Sequence, residues 1–152
     1  MKKIIYIAVL VLFAHNLSAK TIRIGKMQAA KTIQQGLLLA ADGDTVLVEP
    51  GHYHEKNIVI NKFIFFIGIN HPVLDGDHTY EIISIKANGV LVDGFKVIHS
   101  GISSIEDYAG IKIYSCRDVV IRNNILEDTF FGIYTQYGTN CTIEKNTLVS
   151  FS

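Results

Sequence analysis

A repeat with a spacing of 22 residues, near the C-terminal end of the sequence, constrains the fold more than any other feature. Five pairs of residues are identical in the two copies: Gly110 and Gly132, Ile111 and Ile133, Ile121 and Ile143, Asn124 and Asn146, and Leu126 and Leu148. Repeats of this length with glycine and asparagine at the bends are typical of a solenoid whose unit is one turn of strand. The dense leucines of leucine-rich repeats and the 3.6-residue periodicity of helical repeats are missing from the sequence.

The repeat predicts an all-β fold, a right-handed single-stranded parallel β-helix with coils of about 22 residues. Parallel strands stack about 4.8 Å apart, so equivalent residues of successive coils lie directly over one another. Stacked isoleucines should face inward. Stacked asparagines should form a ladder at a corner, because asparagine tolerates the left-handed backbone of a sharp bend and its amide can bond to the next asparagine. The expected vertical pairs are Ile111 with Ile133, Ile121 with Ile143, and Asn124 with Asn146.

The earlier part of the chain has the same pattern of short apolar runs and turn residues, but with a less regular spacing. Short apolar runs alternate with glycine, asparagine and aspartate residues, and Val92 aligns with Ile121 at a distance of 29 residues. The surplus over the 22-residue repeat predicts an outward loop at 101–107. In this alignment Phe95 takes the corner position that Asn124 holds later, so we expect the asparagine ladder only in the last two coils.

The first 19 residues have the pattern of a secretory signal peptide, residues 1–19. Lys2 and Lys3 precede an apolar run at 4–14, and a polar segment then ends at Ala19. The run is shorter than the ~20 apolar residues that a membrane-spanning helix requires. An uncleaved anchor or a buried strand is the alternative. We therefore expect an exported, periplasmic protein that does not span the membrane once the signal peptide is removed.

The remaining residues, 20–152, are expected to form one β-helix domain. Apolar side chains at helical spacing predict a helix over 28–41, before the first strand, which would cap the N-terminal end of the solenoid. Gly36 costs this helix about 1 kcal/mol relative to alanine, so tertiary contacts should support it. Residues 42–152 then form the coils. Because the sequence stops at Ser152 before another coil or a cap, the C-terminal end is expected to be truncated.

Composition narrows the classes of function. Apolar residues make up 49% of the chain and charged residues 18%, which suits a packed core, and the net charge of zero argues against nucleic-acid binding. Cys116 and Cys141 are too few for a disulfide scaffold. One coil and three further residues separate them, which places their Cα atoms about 11 Å apart. A disulfide requires less than about 7 Å, so free thiols are predicted unless a corner brings the two together.

Four stretches carry a family resemblance. The sequence DGDTVLVEPGHYHE at 42–55 resembles the first coil of many secreted β-helix proteins. The sequences SSIEDYAGI at 103–111, RNNILED at 122–128 and FGIY at 131–134 together resemble the NosD-type accessory proteins of nitrous oxide reductase. The resemblance implies a periplasmic β-helix that works beside a membrane ABC transporter, and we expect the protein to have no enzymatic activity. Its implied role is to assist assembly of the copper–sulfur cluster of nitrous oxide reductase, and copper is the implied metal.

His52 and His54 are the predicted metal ligands, because copper favours imidazole and sulfur donors. The two residues are two positions apart, so on an extended segment their side chains point the same way. Two ligands alone do not define a site, and solvent-facing histidines are the plainer interpretation. The other residues with suitable donors are Met27, His71, His78, His99, Cys116 and Cys141.

Two further classes of function stay open at this point. Many parallel β-helices are polysaccharide lyases or epimerases, but Glu106, Asp107, Glu127 and Asp128 form no stacked row with a basic partner. A carbohydrate-binding surface solenoid would instead use exposed aromatic side chains. These lie close to the predicted loop, so the sequence does not separate sugar binding from docking of a protein. The expected partner surface comprises Glu106, Asp107, Tyr108, Phe130 and Tyr134.

Overall fold

The computed structural model of the chain describes residues 18–103 and 105–149. The predicted signal peptide lies almost wholly outside the described residues, and so does the C-terminal Ser152. In chain order the elements are β1 (Thr21–Ile24), α1 (Ile33–Leu39), β2 (Thr45–Val48), β3 (His52–Tyr53), β4 (Ile58–Ile60), β5 (Phe65–Gly68), β6 (Val73–Asp75), β7 (Ile83–Ile85), β8 (Leu91–Asp93), β9 (Lys96–Ile98), β10 (Ala109–Tyr114), β11 (Val120–Arg122), β12 (Ile125–Glu127), β13 (Phe131–Gln136), β14 (Thr142–Glu144) and β15 (Thr147–Val149).

The strands form three parallel sheets, which the chain visits in turn as it winds. Sheet A has the order β1-β2-β5-β8-β11-β14, sheet B the order β3-β6-β9-β12-β15, and sheet C the order β4-β7-β10-β13. The pairings between successive coils are parallel, with each strand lying on the strand one coil earlier. This is the parallel β-helix that the repeat predicts, and the predicted fold class is confirmed.

The core is a set of vertical stacks, because inward positions of each sheet fall in register from coil to coil. In sheet C, Ile111 pairs with Ile133, and in sheet A, Ile121 pairs with Ile143. Full burial of one aliphatic side chain contributes about 1.5–3 kcal/mol, which applies to Ile111 and Ile121, whereas Ile143 is 48% exposed. The longest stack, in sheet A, contains Ile22, Val46, Phe66, Val92, Ile121 and Ile143.

At the corner between sheets A and B, asparagine side chains form hydrogen bonds with main-chain groups of the coil before them. The buried Asn124 accepts a hydrogen bond from the backbone N–H of Phe95 through Oδ1 (2.9 Å) and donates from Nδ2 to the carbonyl of Val92 (3.2 Å). Asn146 repeats this pattern, since its Oδ1 accepts from the N–H of Asn124 at 3.0 Å. The left-handed residue at this corner is the preceding one, Asn123, with a φ of 54°. Our expectation that the ladder asparagines themselves supply the left-handed bend is therefore wrong.

The N-terminal end differs from the prediction in two respects. A strand, β1, precedes the helix and pairs with β2, whereas the sequence placed the helix before the first strand. The helix begins at Ile33, because Thr32 forms a capping box: its Oγ1 accepts from the N–H of Gln35, and the Gln35 side chain accepts from the N–H of Thr32. Residues 28–31 of the predicted helix are therefore irregular.

Helix α1 is held against the first coils by close packing and by a carboxylate. Gly36 is buried against Ile24, where any added Cβ would clash with the isoleucine side chain. Glu55, from the connection before β4, accepts hydrogen bonds from the N–H groups of Ile33 (2.6 Å) and Gln34 (2.9 Å). These contacts supply the tertiary support that a seven-residue helix with a central glycine needs.

Candidate metal centre

The corner that follows sheet B gathers four histidines and three aspartates on the outside of the solenoid. Each coil turns sharply here, after β3, β6, β9 or β12. Aspartate and histidine are among the few residue types that adopt the left-handed region readily, so the local bend accounts for the presence of four of these seven residues. Residues at this corner with φ angles between 50° and 55° are Asp77, His78, His99 and Asp128.

The first cluster consists of His52, His54 and Asp75, whose candidate ligand atoms all lie within 4.8 Å of one another. The two imidazole rings stack with their centroids 4.3 Å apart. His52 Nε2 lies 2.9 Å from Asp75 Oδ2. His54 Nδ1 lies 2.8 Å from a further carboxylate, Oδ1 of Asp77, so Nε2 of His54 stays outside that contact.

The second cluster consists of His78, His99 and Asp128, with the same 4.8 Å limit on the separation of its ligand atoms. The rings of His78 and His99 lie 4.5 Å apart at an angle of 30°. His78 Nε2 is 3.9 Å from Asp128 Oδ2. His99 Nδ1 is 2.9 Å from Asp75 Oδ1, and this contact joins the second cluster to the first.

The two clusters and Asp77 form one continuous group of side chains, the His–Asp row, and Asp75 is its buried centre, with only 6% of its surface exposed. Burial alone would raise the pKa of its carboxyl group. The backbone N–H of Asp77, which donates at 3.0 Å, and the contacts with His52 and His99 outweigh that effect and hold the pKa below its ordinary value. Asp75 is therefore a carboxylate at neutral pH, and it places a negative charge between the two clusters.

The donor set of each cluster is two imidazoles and one carboxylate. Such nitrogen and oxygen donors suit Cu²⁺ and Zn²⁺, whereas Cu⁺ favours sulfur. Histidines that bind metals usually donate their second ring N–H to a carboxylate, which fixes the tautomer and the ring orientation. Asp77 is placed to do this for His54, and Asp75 for His99. The residues present therefore fit copper in its divalent state.

A second group of titratable side chains lies on sheet C, and sequence reasoning missed it. Glu81 and Lys112 are both buried, and Lys112 Nζ lies 3.8 Å from the Glu81 carboxylate. Tyr114 donates to Glu81 at 3.0 Å, and the buried Ser84 hydroxyl also donates to Glu81. Burial, and then the Glu81 carboxylate, raise the pKa of Tyr114.

This buried network is satisfied internally. Lys112 also donates to the backbone carbonyl of Asp107 at 3.1 Å, which fastens the predicted loop 101–107 over sheet C. Among the described residues, no buried side-chain nitrogen or oxygen lacks a hydrogen-bond partner. Glu81 and Lys112 are each only 4% exposed, so their side chains contact other parts of the protein. A catalytic pair would instead have to contact a substrate.

Comparison with known families agrees with this architecture. Residues 39–152 match the family described as the right-handed beta helix region. The chain belongs to the right-handed β-helix family. Family membership confirms the β-helix part of the resemblance drawn from the sequence, and the narrower likeness to NosD-type proteins stays a prediction.

The chain is similar to a cell surface glycoprotein of Methanothermus fervidus. It is 29% identical to this chain over 98 residues, which is 64% of the chain and 15% of the relative. The chain thus spans a small fraction of that protein. No solved structure matches the sequence. Within residues 18–103 and 105–149, no helix of this β-helix is long and apolar enough to cross a membrane.

Of the predicted metal ligands, the β-helix brings His52 and His54 together on one side of the chain, beside a carboxylate. The sequence did not reveal the carboxylate or the second cluster, because the early coils differ in length. Asp75 lies 23 residues after His52, and His99 lies 24 residues after Asp75. An alignment that followed the corner, with its run of aspartate and histidine, would have been the signal to use.

The remaining sulfur and nitrogen donors lie apart from the row. His71 contacts the backbone carbonyl of Asn123 at 3.2 Å. Cys116 and Cys141 are free thiols at the corner between sheets C and A, where Cys141 Sγ lies 4.0 Å from the Cys116 carbonyl oxygen. Burial, and then the neighbouring Cys141, raise the pKa of the Cys116 thiol. Met27 is almost fully exposed near the N-terminal end.

The expected partner surface is partly assembled by the fold. The N–H of Phe131 donates to the carbonyl of Tyr108 at 3.3 Å, so the end of the loop lies beside β13, and the charge of Asp107 raises the pKa of Tyr134. Phe130 packs edge-on against Phe131, whose ring centroid is 5.3 Å from that of Tyr134. Of the other predicted members, Glu106 is exposed in the loop, and Tyr108 leads from the loop into β10 with its N–H donating to the Glu106 carbonyl.

Proposed function

We propose that this chain acts as an exported, non-enzymatic accessory protein of the NosD type. In this role it binds Cu²⁺ through His52, His54 and Asp75. The copper is cargo for assembly of the copper–sulfur cluster of nitrous oxide reductase, and a membrane ABC transporter acts in the same process. The periplasm, or the outer surface of the cell, is the proposed location.

The observation that carries the proposal is the first cluster. Two imidazoles and a buried carboxylate converge at an exposed corner, with a second carboxylate behind His54. Closed structural metal sites have four protein ligands, whereas three ligands leave a position open. About half of the side-chain surface of both His52 and His54 is exposed to solvent. An open, solvent-facing site suits a metal that must be received and handed on.

A carbohydrate-binding surface solenoid is the second candidate. It is supported by the similarity to a cell surface glycoprotein and by the aromatic group of Phe130, Phe131 and Tyr134. Aromatic faces of this kind stack on sugar rings in many binding proteins, and they serve equally well as anchors in protein interfaces. Binding to a glycan array without copper binding would favour this candidate.

Copper titration of the folded protein tests the first candidate. We expect His52→Gln/His54→Gln to abolish Cu²⁺ binding at the first cluster. Asp77→Asn keeps all three ligands and removes only the partner of His54 Nδ1, so it should weaken Cu²⁺ binding about 10- to 100-fold. His71→Asn is the control, because His71 lies outside both clusters and should leave the affinity unchanged.

Isothermal titration calorimetry with competing chelators measures these affinities. A number of bound Cu²⁺ ions in His52→Gln/His54→Gln equal to that of the wild-type protein would remove the basis of the proposal. Transfer of copper from the loaded protein to copper-free nitrous oxide reductase then tests the accessory role. Release of unsaturated products from uronate polymers would contradict the non-enzymatic assignment.

A further inference from the structure

We propose that the second cluster is a separate cation site. His78, His99 and Asp128 bind a divalent first-row cation such as Zn²⁺ or Cu²⁺, next to the cation held by His52, His54 and Asp75. The inference deepens the proposed function and rests on it for its purpose, since a row of two sites would carry two cations. The number of bound cations tests the existence of the second site independently of that purpose.

Register places the second cluster on three successive coils. Ile98 of β9 pairs with Glu127 of β12, so the residues that follow them, His99 and Asp128, are vertical neighbours. His78 reaches the same place from the coil before, where its N–H donates to the carbonyl of His99 at 2.9 Å. The positive φ angles of all three residues are fixed by the bend, so the backbone presents the side chains in advance of any ligand.

The distances are close to those of an occupied site. Zinc–nitrogen bonds of about 2.0–2.1 Å in a tetrahedron place neighbouring donor atoms about 3.3–3.5 Å apart. The donors of the second cluster lie within 4.8 Å of one another, and His78 Nε2 and Asp128 Oδ2 are already 3.9 Å apart. His78 and Asp128 are both well exposed, so small side-chain rotations bring the donors into position.

Asp75 joins the two sites while belonging to only one of them. Its Oδ2 faces His52 in the first cluster, and its Oδ1 contacts His99 Nδ1. That contact orients the His99 ring and leaves Nε2 for a cation, which is the usual arrangement of a carboxylate behind a metal-binding histidine. Each cluster thus has its own two histidines and its own carboxylate ligand, and Asp75, the ligand of the first cluster, is also the supporting carboxylate of the second.

The test is the number of Zn²⁺ ions bound at neutral pH, measured by native mass spectrometry and by equilibrium dialysis. The wild-type protein should bind two. His78→Asn/Asp128→Asn should bind one, and asparagine is chosen because it tolerates the left-handed backbone at both positions. His52→Gln/His54→Gln should also bind one. The control His71→Asn replaces another left-handed histidine, with a φ of 54°, and should bind two.

Each outcome decides the question. Two ions in His78→Asn/Asp128→Asn would overturn the second site and leave the first untouched. A single ion in the wild-type protein, lost in both double variants, would show one shared site and overturn the inference. A single ion lost only in His52→Gln/His54→Gln would overturn it and support the first cluster alone. No bound Zn²⁺ would overturn the second site, whereas the copper titration decides the proposed function separately, and circular dichroism of each variant excludes loss of fold as the cause.

Discussion

Asp75 is the single residue on which the His–Asp row depends. It is buried, yet it stays charged, because a backbone N–H and two histidines compensate for the loss of hydration. Hydrogen bonds to a charged group contribute about 1.5–3 kcal/mol, more than those between neutral groups. The same carboxylate contacts histidines of both clusters, so a substitution of Asp75 should change both the stability of the protein and its metal binding.

Asp75 predicts a specific dependence of stability on pH. Its pKa is lowered in the folded protein, so its contribution is fully present above the pKa of the unfolded chain, near 3.8, and is lost as the pH falls through the lower folded value. We expect Asp75→Asn to be less stable than wild type at pH 7 by about 1–3 kcal/mol. The difference should shrink below pH 4. Urea unfolding between pH 2.5 and 7 measures it.

Asp44 contributes a second dependence of stability on pH, which wild type and Asp75→Asn share. Hydrogen bonds from the N–H groups of Lys20 and Ala41 also lower its pKa, so both proteins lose stability in acid for this reason. Only the difference between wild type and Asp75→Asn reports on Asp75. Asp118→Asn, at another left-handed corner, is the matched control. A gap between wild type and Asp75→Asn that stays constant from pH 7 to pH 2.5 would show that the charge of Asp75 contributes nothing.

At the scale of elements, helix α1 shows how packing overrides intrinsic preference. Gly36 is unfavourable for an isolated helix by about 1 kcal/mol. In the folded protein it lets the helix approach Ile24 of β1 so closely that no Cβ fits between them. The close approach of β1, a strand that the sequence analysis did not predict, therefore explains why a glycine stands at position 36.

Gly36→Ala should accordingly destabilise the protein, although it improves helix propensity. Overpacking of a filled core costs about 1–3 kcal/mol, which exceeds the gain. Combining it with Ile24→Val, which removes the clashing Cδ1 atom, should cost less than the sum of the two single changes. Leu38→Ala on the exposed face is the control. Thermal unfolding checks this, and a stabilising Gly36→Ala would contradict the packing described above.

The sequence predicted the fold well wherever the repeat was regular. A 22-residue spacing fixed the register of the last coils, so the pairs Ile121 with Ile143 and Asn124 with Asn146 are adjacent in the structure. Strand β1 was missed because four alternating residues directly after a predicted signal peptide give a weak signal. The second cluster was missed because variable coil lengths hide which corner a distant histidine will reach.

For the whole molecule, the His–Asp row runs across successive coils and so ties them together. A cation that binds only the folded state stabilises it by about 2.7 kcal/mol when its free concentration is 100 times the dissociation constant. Because the coils share one core, this stabilisation should appear in the unfolding of the solenoid as a unit and not as a local effect.

We therefore expect Zn²⁺ to raise the melting temperature of the wild-type protein and EDTA to reverse the increase. His71→Asn should show the same increase. The variant that combines His52→Gln, His54→Gln, His78→Asn and Asp128→Asn should show none. Differential scanning calorimetry with and without Zn²⁺ measures the shifts. An equal increase in the melting temperature of the variant with four substitutions would mean that the cation binds elsewhere on the protein.

The asparagine ladder has a consequence for how such a protein can change in length. Asn124 and Asn146 bond to main-chain groups of the coil before them, and Asn124 does so above a phenylalanine as readily as Asn146 does above an asparagine. The corner bonds of a duplicated coil with such an asparagine therefore require only main-chain groups of the coil on which it is placed. At this corner, lengthening by tandem duplication would then impose no requirement on the side chain at the corner of the older coil.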